Sequence, residues 1–191
     1  KNKFLGTIGD MGGFSFYGNK IITTGEGGVV FFKNSKLKNK INSLKNHGRP
    51  KKGIFKHDTI GYNFMFTEMQ AAVGNIQLKK LNQILKKKRE IYNFYKKKLE
   101  YIKKIKFLEN IKQNKPVHWF SNVIVDDKKN LKNYLYKNGI QTRDFFLPLS
   151  KQPCFIKTKL IKNINSRFPV SDYLYKSGLS LPSSYNLTQK E

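Results

Sequence analysis

The sequence predicts a mixed α/β chain in two parts. Three observations carry that expectation: short strands and glycine turns over the first thirty residues, one long amphipathic helix in the middle, and a smaller alternation of strands and helices after it. In the first part GGFSF reads as a strand, Gly18-Asn19 as a turn, IITT (residues 21–24) as a second strand, GEGG as a turn and VVFF as a third strand. Helical spacing begins behind Asn34-Ser35, which form a cap for Leu37, Ile41 and Leu44, and Gly48 stops that short helix.

The long helix is announced by Thr67 and Gln70, a capping box in which each side chain satisfies an orphan amide of the first turn. Met69, Val73, Ile76, Leu81, Ile84, Leu85, Ile91, Tyr95 and Leu99 then follow one apolar stripe to about Tyr101. At roughly 1.5 Å per residue this is a rod of about 50 Å, enough to connect two domains. The expected domains are 1–100 and 101–191. Within the second, VHWFSNVIV reads as a strand that includes His118. Asp126-Asp127 cap a helix carrying Leu131 and Leu135, Asn138-Gly139 end it, IQTRDFF reads as a further strand, and Ser171 opens a last helix stopped by Gly178.

Composition narrows the function classes. A chain of 191 residues with 38% hydrophobic residues can bury a core. No run of eighteen apolar residues is present and the N-terminal KNKFLGTIGD lacks an apolar signal stretch, so a cytoplasmic chain with no membrane partner is expected. One cysteine, Cys154, rules out an internal disulfide and a paired-cysteine zinc site, reads as a packed or idle thiol, and leaves no metal expected. The net charge of +26 invites a nucleic-acid partner. Only four of the 38 basic residues are arginine, however, and the lysines are spread along every element. Runs such as Lys86 to Arg89 and Lys96 to Lys98 read as solvated helix faces, so no nucleic-acid partner is expected.

The chemistry concentrates in SFYGNKIITTGEGG, residues 15–28. Lysine is a catalyst when it joins a carbonyl as a Schiff base, and pyridoxal phosphate is the usual carbonyl; its phosphate calls for hydroxyls and backbone amides, which Ser15 and the glycines can supply. With residues 13–16 and 21–24 as adjacent strands, Lys20 would leave a sheet edge within reach of the same phosphate as Ser15. A plain surface hairpin is the alternative. Glu26 is a carboxylate that either tunes the lysine or caps an amide, and Arg143 is a cation that either holds an anion or forms a salt bridge. His47 and His57 read as structural or exposed.

GDMGGFSFYGNKIITTGEGGVV, followed by LKNHG, GYNFMFTEMQAAVGNIQLKKL, TRDFFLPLSKQP and LSLPSSYNLT, resembles the DegT/DnrJ/StrS-type sugar aminotransferases through nearly the whole chain. The resemblance implies the C-terminal portion of a fold-type-I pyridoxal phosphate transferase: part of the large-domain sheet, the long connecting helix and a small α+β domain. It implies a Schiff base to Lys20, a bond from Ser15 to the cofactor phosphate, and Asn63 reaching that phosphate from the other subunit of a homodimer. It further implies transfer of an amino group from glutamate to a nucleotide-linked keto-deoxy sugar in polysaccharide or glycoconjugate synthesis, and Lys20 in place of the histidine of a dehydratase branch favours transamination.

Three departures accompany it. Met65 stands where the family commonly has an arginine, and Ser150 of Pro148-Leu149-Ser150 stands where it often has a histidine facing the sugar. The resemblance also implies an upstream half of the large domain, with an aspartate for the pyridine nitrogen and a stacking aromatic, that is not found here. The piece alone is expected to be inactive and poorly soluble, because half a sheet leaves an aggregation-prone edge. Two other readings stay open: a basic nucleic-acid-binding protein without enzymatic activity, and a degenerate family member serving as an interaction partner.

Overall fold

A computed structural model describes residues 3–51, 53–108, 114–158, 168–188 and 190–191. The chain forms two compact units, Lys1–Gln83 and Ile84–Glu191, which divide inside the long helix.

In the first unit, β1 (Met11–Ser15) and β2 (Gly28–Phe32) pair antiparallel, from Met11 opposite Phe32 to Ser15 opposite Gly28. The residues between them, 16–27, contain no strand, so the expected strand at 21–24 is corrected to loop. The reason is local. Thr23 and Thr24 turn their hydroxyls onto backbone groups of the loop, the competition that makes threonine as much a turn residue as a strand former. Helix α1 (Leu37–Lys45) follows a turn in which the Asn34 side chain accepts from Lys36 N at 2.9 Å. Residues 62–64 return along the end of α1, with Tyr62 N donating to Leu44 O and Phe64 N to Lys45 O. At Gly48 (φ +77°) this return is so close that a Cβ would lie 1.7 Å from the Thr59 carbonyl oxygen.

Helix α2 (Glu68–Leu99) starts at the expected capping box: Thr67 N donates to Gln70 Oε1 at 2.9 Å and Gln70 N donates to Thr67 Oγ1 at 3.2 Å. Its apolar stripe is not uniformly covered. Met69, Val73 and Ile76 are exposed, whereas Ile84, Ile91 and Tyr92 are buried.

The second unit is built on a four-stranded antiparallel sheet in the order β3 (Ile105–Phe107), β4 (Ser121–Val125), β6 (Gly178–Leu181), β5 (Arg143–Asp144). The two central strands supply the core: Val123, Val125, Leu179 and Leu181 pack with Tyr95 and Leu99 of α2 and with Leu131 and Leu135 of α3 (Lys128–Lys137). Asp127 caps α3 by accepting from Asn130 N, and Gly139 (φ +77°) follows its end. The strand expected over 117–125 shortens to β4, with His118 outside it, and the one expected around Arg143 shrinks to β5. A 3-10 turn (Leu149–Lys151) and a short helix, α4 (Pro153–Lys157), come next, and Cys154 on α4 is exposed rather than packed. Helix α5 (Pro169–Ser177) begins two residues before Ser171, because the fixed φ of Pro169 suits the first helical position. Among the described residues no helix is long and apolar enough to cross a membrane.

Leu179, fully buried between β4 and β5, should be the costliest single truncation here. Leu179→Ala is expected to lower unfolding free energy by about 2–5 kcal/mol in urea titration.

Candidate functional site

The loop between β1 and β2 is held by its own backbone and hydroxyls. Phe16 N donates to Gly27 O at 2.9 Å and Thr24 N to Phe16 O at 3.0 Å, which closes the loop at its neck. The Thr23 hydroxyl donates to Phe16 O at 2.9 Å and accepts from Gly25 N at 2.9 Å, and the Thr24 hydroxyl donates to Glu26 O at 2.6 Å. Gly27 adopts φ +130° and has no room for a side chain, since a Cβ would stand 2.6 Å from the Phe66 ring.

Lys20 sits at the far end of this loop and is half-buried. Two consecutive turns bring it there: Ser15 Oγ accepts from Tyr17 N at 3.2 Å, and Tyr17 O accepts from Lys20 N at 2.9 Å. Ser15 and Lys20 are therefore joined by a short hydrogen-bonded path as well as by the chain. Glu26 contributes its carbonyl to the architecture, which accepts from Thr24 and, at 3.0 Å, from Gln70 Nε2 on the first turn of α2. Phe16 meets Phe66 edge-on at 6.5 Å, and Gly74 lets the Thr24 methyl approach α2, where a Cβ would be 3.1 Å away. A cavity of about 160 Å³ lies between loop and helix, lined by Phe16, Ile22, Thr24, Phe66, Gly74 and Leu78.

Asn63 is exposed and fixed through its backbone by an antiparallel bridge to Asn46. Met65 is exposed on the same returning segment. His57 donates from Nδ1 to the His47 carbonyl at 2.7 Å, and His47 itself takes φ +60°, so both histidines serve the turn around Gly48.

The remaining expected residues belong to the second unit. Arg143 is exposed, and its guanidinium carbon lies 4.7 Å from the Phe146 ring centre and 5.2 Å from that of Phe120. Its neighbour Asp144 is claimed by α3, with Lys132 Nζ at 2.5 Å and Lys128 Nζ at 3.5 Å. The Lys132 hydrogen bond holds the Asp144 carboxyl below its ordinary pKa. Ser150 lies in the 3-10 turn after Pro148.

Two features escaped the sequence reading. Lys88, counted there in a solvated run, is half-buried and donates to Trp119 O at 2.9 Å and Ser183 O at 2.5 Å, and burial lowers its pKa. His118 stacks on Tyr92 at 3.8 Å, with its pKa lowered by burial and by Arg89. A lysine inside a basic run gives no sequence signal for either behaviour.

The family model for DegT/DnrJ/EryC1/StrS aminotransferases matches residues 1–191. The chain belongs to that family. It is 32% identical over 197 residues to GDP-perosamine synthase of Escherichia coli O157:H7, covering 100% of this chain and 51% of the relative. It is 30% identical over 194 residues to EpsN of Bacillus subtilis, whose name describes a pyridoxal phosphate-dependent aminotransferase, covering 100% of this chain and 50% of the relative. Among solved structures, Helicobacter pylori PseC, an aminotransferase involved in the biosynthesis of pseudoaminic acid, superposes with a TM-score of 0.87 at 27% identity, covering 100% of this chain and 52% of that one. The fold is thus that of about half a fold-type-I sugar aminotransferase. The chain spans about half the length of the curated relatives it matches.

Gln70 joins helix cap and loop, and the two roles can be separated. Gln70→Glu keeps the acceptor for Thr67 N but places a carboxylate oxygen against Glu26 O; amide exchange over residues 23–27 should accelerate while the start of α2 stays protected. Gln70→Ala should lose both, at a cost of about 1–2 kcal/mol in unfolding free energy.

Proposed function

We propose that this chain supplies the lysine-bearing part of a pyridoxal phosphate-dependent aminotransferase that acts on a nucleotide-linked keto-deoxy sugar, with glutamate as amino donor. The observation that carries the proposal is the Ser15-to-Lys20 double turn, which links the hydroxyl at the neck of a braced loop to the residue that bears the primary amine. That donor set fits pyridoxal phosphate: the aldehyde needs an amine, and the phosphate needs donors. Ser15 Oγ accepts from Tyr17 N, which orients the oxygen and leaves the hydroxyl proton to donate outward.

When bound, the cofactor supplies an electron sink for the carbon that loses its proton. Lys20 would hold the cofactor through its amine, and the same amine would serve as the base that takes a proton from the substrate carbon and returns it. Ser15 would hold the phosphate through its hydroxyl. Asn63, exposed and held at the backbone, is assigned to the phosphate site of a second subunit in a homodimer. Glu26 steadies the loop through its carbonyl, and Ser150 is assigned to the sugar site. The names of the relatives support a role in making an amino sugar, which we assign to polysaccharide or glycoconjugate synthesis.

Mixing the protein with pyridoxal phosphate should produce an absorption band at the edge of the visible that Lys20→Ala abolishes. Ser15→Ala should keep the band but weaken cofactor retention about tenfold, the value of one hydrogen bond to a charged group. A band of equal strength with Lys20→Ala, or no band in either protein, would overturn the proposal.

A further inference from the structure

We infer that the open edges and apolar faces of the β1–β2 ribbon form a seat for a polypeptide carrying the half of the family fold that lies outside this chain, and that the seat takes this partner without a covalent link. The first unit has no core of its own. Every buried apolar residue described, from Ile84 to Leu181, belongs to the second unit, and among the described residues Lys1–Gln83 has none. A unit of that length folds by burying apolar surface, so the first unit must share a core with something else. The surface area agrees. The chain exposes 15623 Å², whereas two separate compact units of the same total mass would expose about 11,300 Å². An excess of several thousand Å² is on the scale of a permanent assembly rather than a transient contact.

The register says where the partner attaches. Lys33 N donates to Asp10 O and Phe16 N to Gly27 O, so these two pairs exchange backbone bonds at the ends of the ladder. Such pairs alternate along antiparallel strands, so Gly12 and Phe14 turn their backbone groups toward Phe31 and Val29. Met11, Gly13 and Ser15 then point their N–H and C=O groups away from β2, and Gly28, Val30 and Phe32 point theirs away from β1. Among the described residues neither edge has a further strand. The faces are apolar too. Met11 and Val30 on one, and Phe14 and Phe31 on the other, are between 43% and 50% exposed. Strands apolar on both faces belong inside a covered sheet, and a lone two-stranded ribbon is marginal in water. A second copy of this chain would bring the same uncovered ribbon. This chain corresponds to 51% of the Escherichia coli relative and 52% of PseC, so the other half of such a protein is the piece that can supply both strands and cover.

The probe is the half of the Escherichia coli O157:H7 GDP-perosamine synthase that this chain does not match, expressed as a separate polypeptide; the synthase's own matching half, mixed with the same probe, shows that the probe is competent. This chain and the probe should form an equimolar complex by light scattering, and amide exchange should slow at Met11, Gly13, Ser15, Val30 and Phe32. Gly13→Pro removes one outward N–H and leaves the bonds to β2 in place, and a Cβ there would meet no atom nearer than 3.8 Å. It should weaken capture about tenfold. Val30→Lys, which sets a charge on an apolar face, should weaken it as well, whereas Tyr136→Ser, at an exposed residue of α3, should leave it unchanged. A chain that stays monomeric beside a competent probe, that pairs with itself through the same amides, or that is captured equally well as the Gly13→Pro and Val30→Lys variants would overturn the inference. Lys20→Ala should assemble like the original, so failure of Lys20 to hold pyridoxal phosphate leaves the outcome intact.

Discussion

One side chain, Gln70, ties the local structure of the first unit to its chemistry. Its carbonyl oxygen caps the first turn of α2 and its amide nitrogen reaches the Glu26 carbonyl, so the start of the helix and the turn that closes the Lys20 loop share a single residue. The loop needs this support. It spans residues 16–27 without strand pairing, carries two glycines at positive φ, and closes at a neck beside β1 and β2. Backbone bonds within the loop fix its shape; the bond to Gln70 fixes it against a helix. A lysine presented by such a loop keeps a defined position, which a flexible surface lysine does not.

Charge in this protein is partly structural. Lys88 spends its amine on two carbonyls and so joins the segments around Trp119 and Ser183 to α2, while Lys128 and Lys132 share Asp144 and bind β5 to α3. Buried or half-buried lysines of this kind replace contacts that a more apolar sequence would make by packing. The net charge of +26 therefore overstates the cationic surface available to a partner, although most lysines do remain exposed.

Features set within four or five residues were legible in the sequence. The Thr67–Gln70 box, the Asp127 cap, Gly139 after α3 and Gly178 after α5 all lie where side-chain chemistry placed them. The family block around Lys20 was legible for the same reason, being a contiguous run. What failed depended on distant partners. IITT has strand-forming residues, but β1 pairs beyond it with β2, and the two threonines bond to the loop instead. The bond from Gln70 to Glu26 spans 44 residues and the one from Lys88 to Ser183 spans 95, and no local pattern encodes either. Arg143 was a candidate from its position ahead of two phenylalanines, yet its contact with Phe120 and its separation from Asp144 follow only from the sheet register.

One lysine among 34 lies in the braced loop, and the proposed chemistry requires that this lysine, rather than the others, react with a carbonyl. The most direct measurement is borohydride reduction of the protein in the presence of pyridoxal phosphate, followed by peptide mapping by mass spectrometry. The added mass is expected on the peptide containing Lys20, at one equivalent per chain. Label spread over the lysines of α2 and the exposed surface, with Lys20 no more modified than the rest, would contradict it.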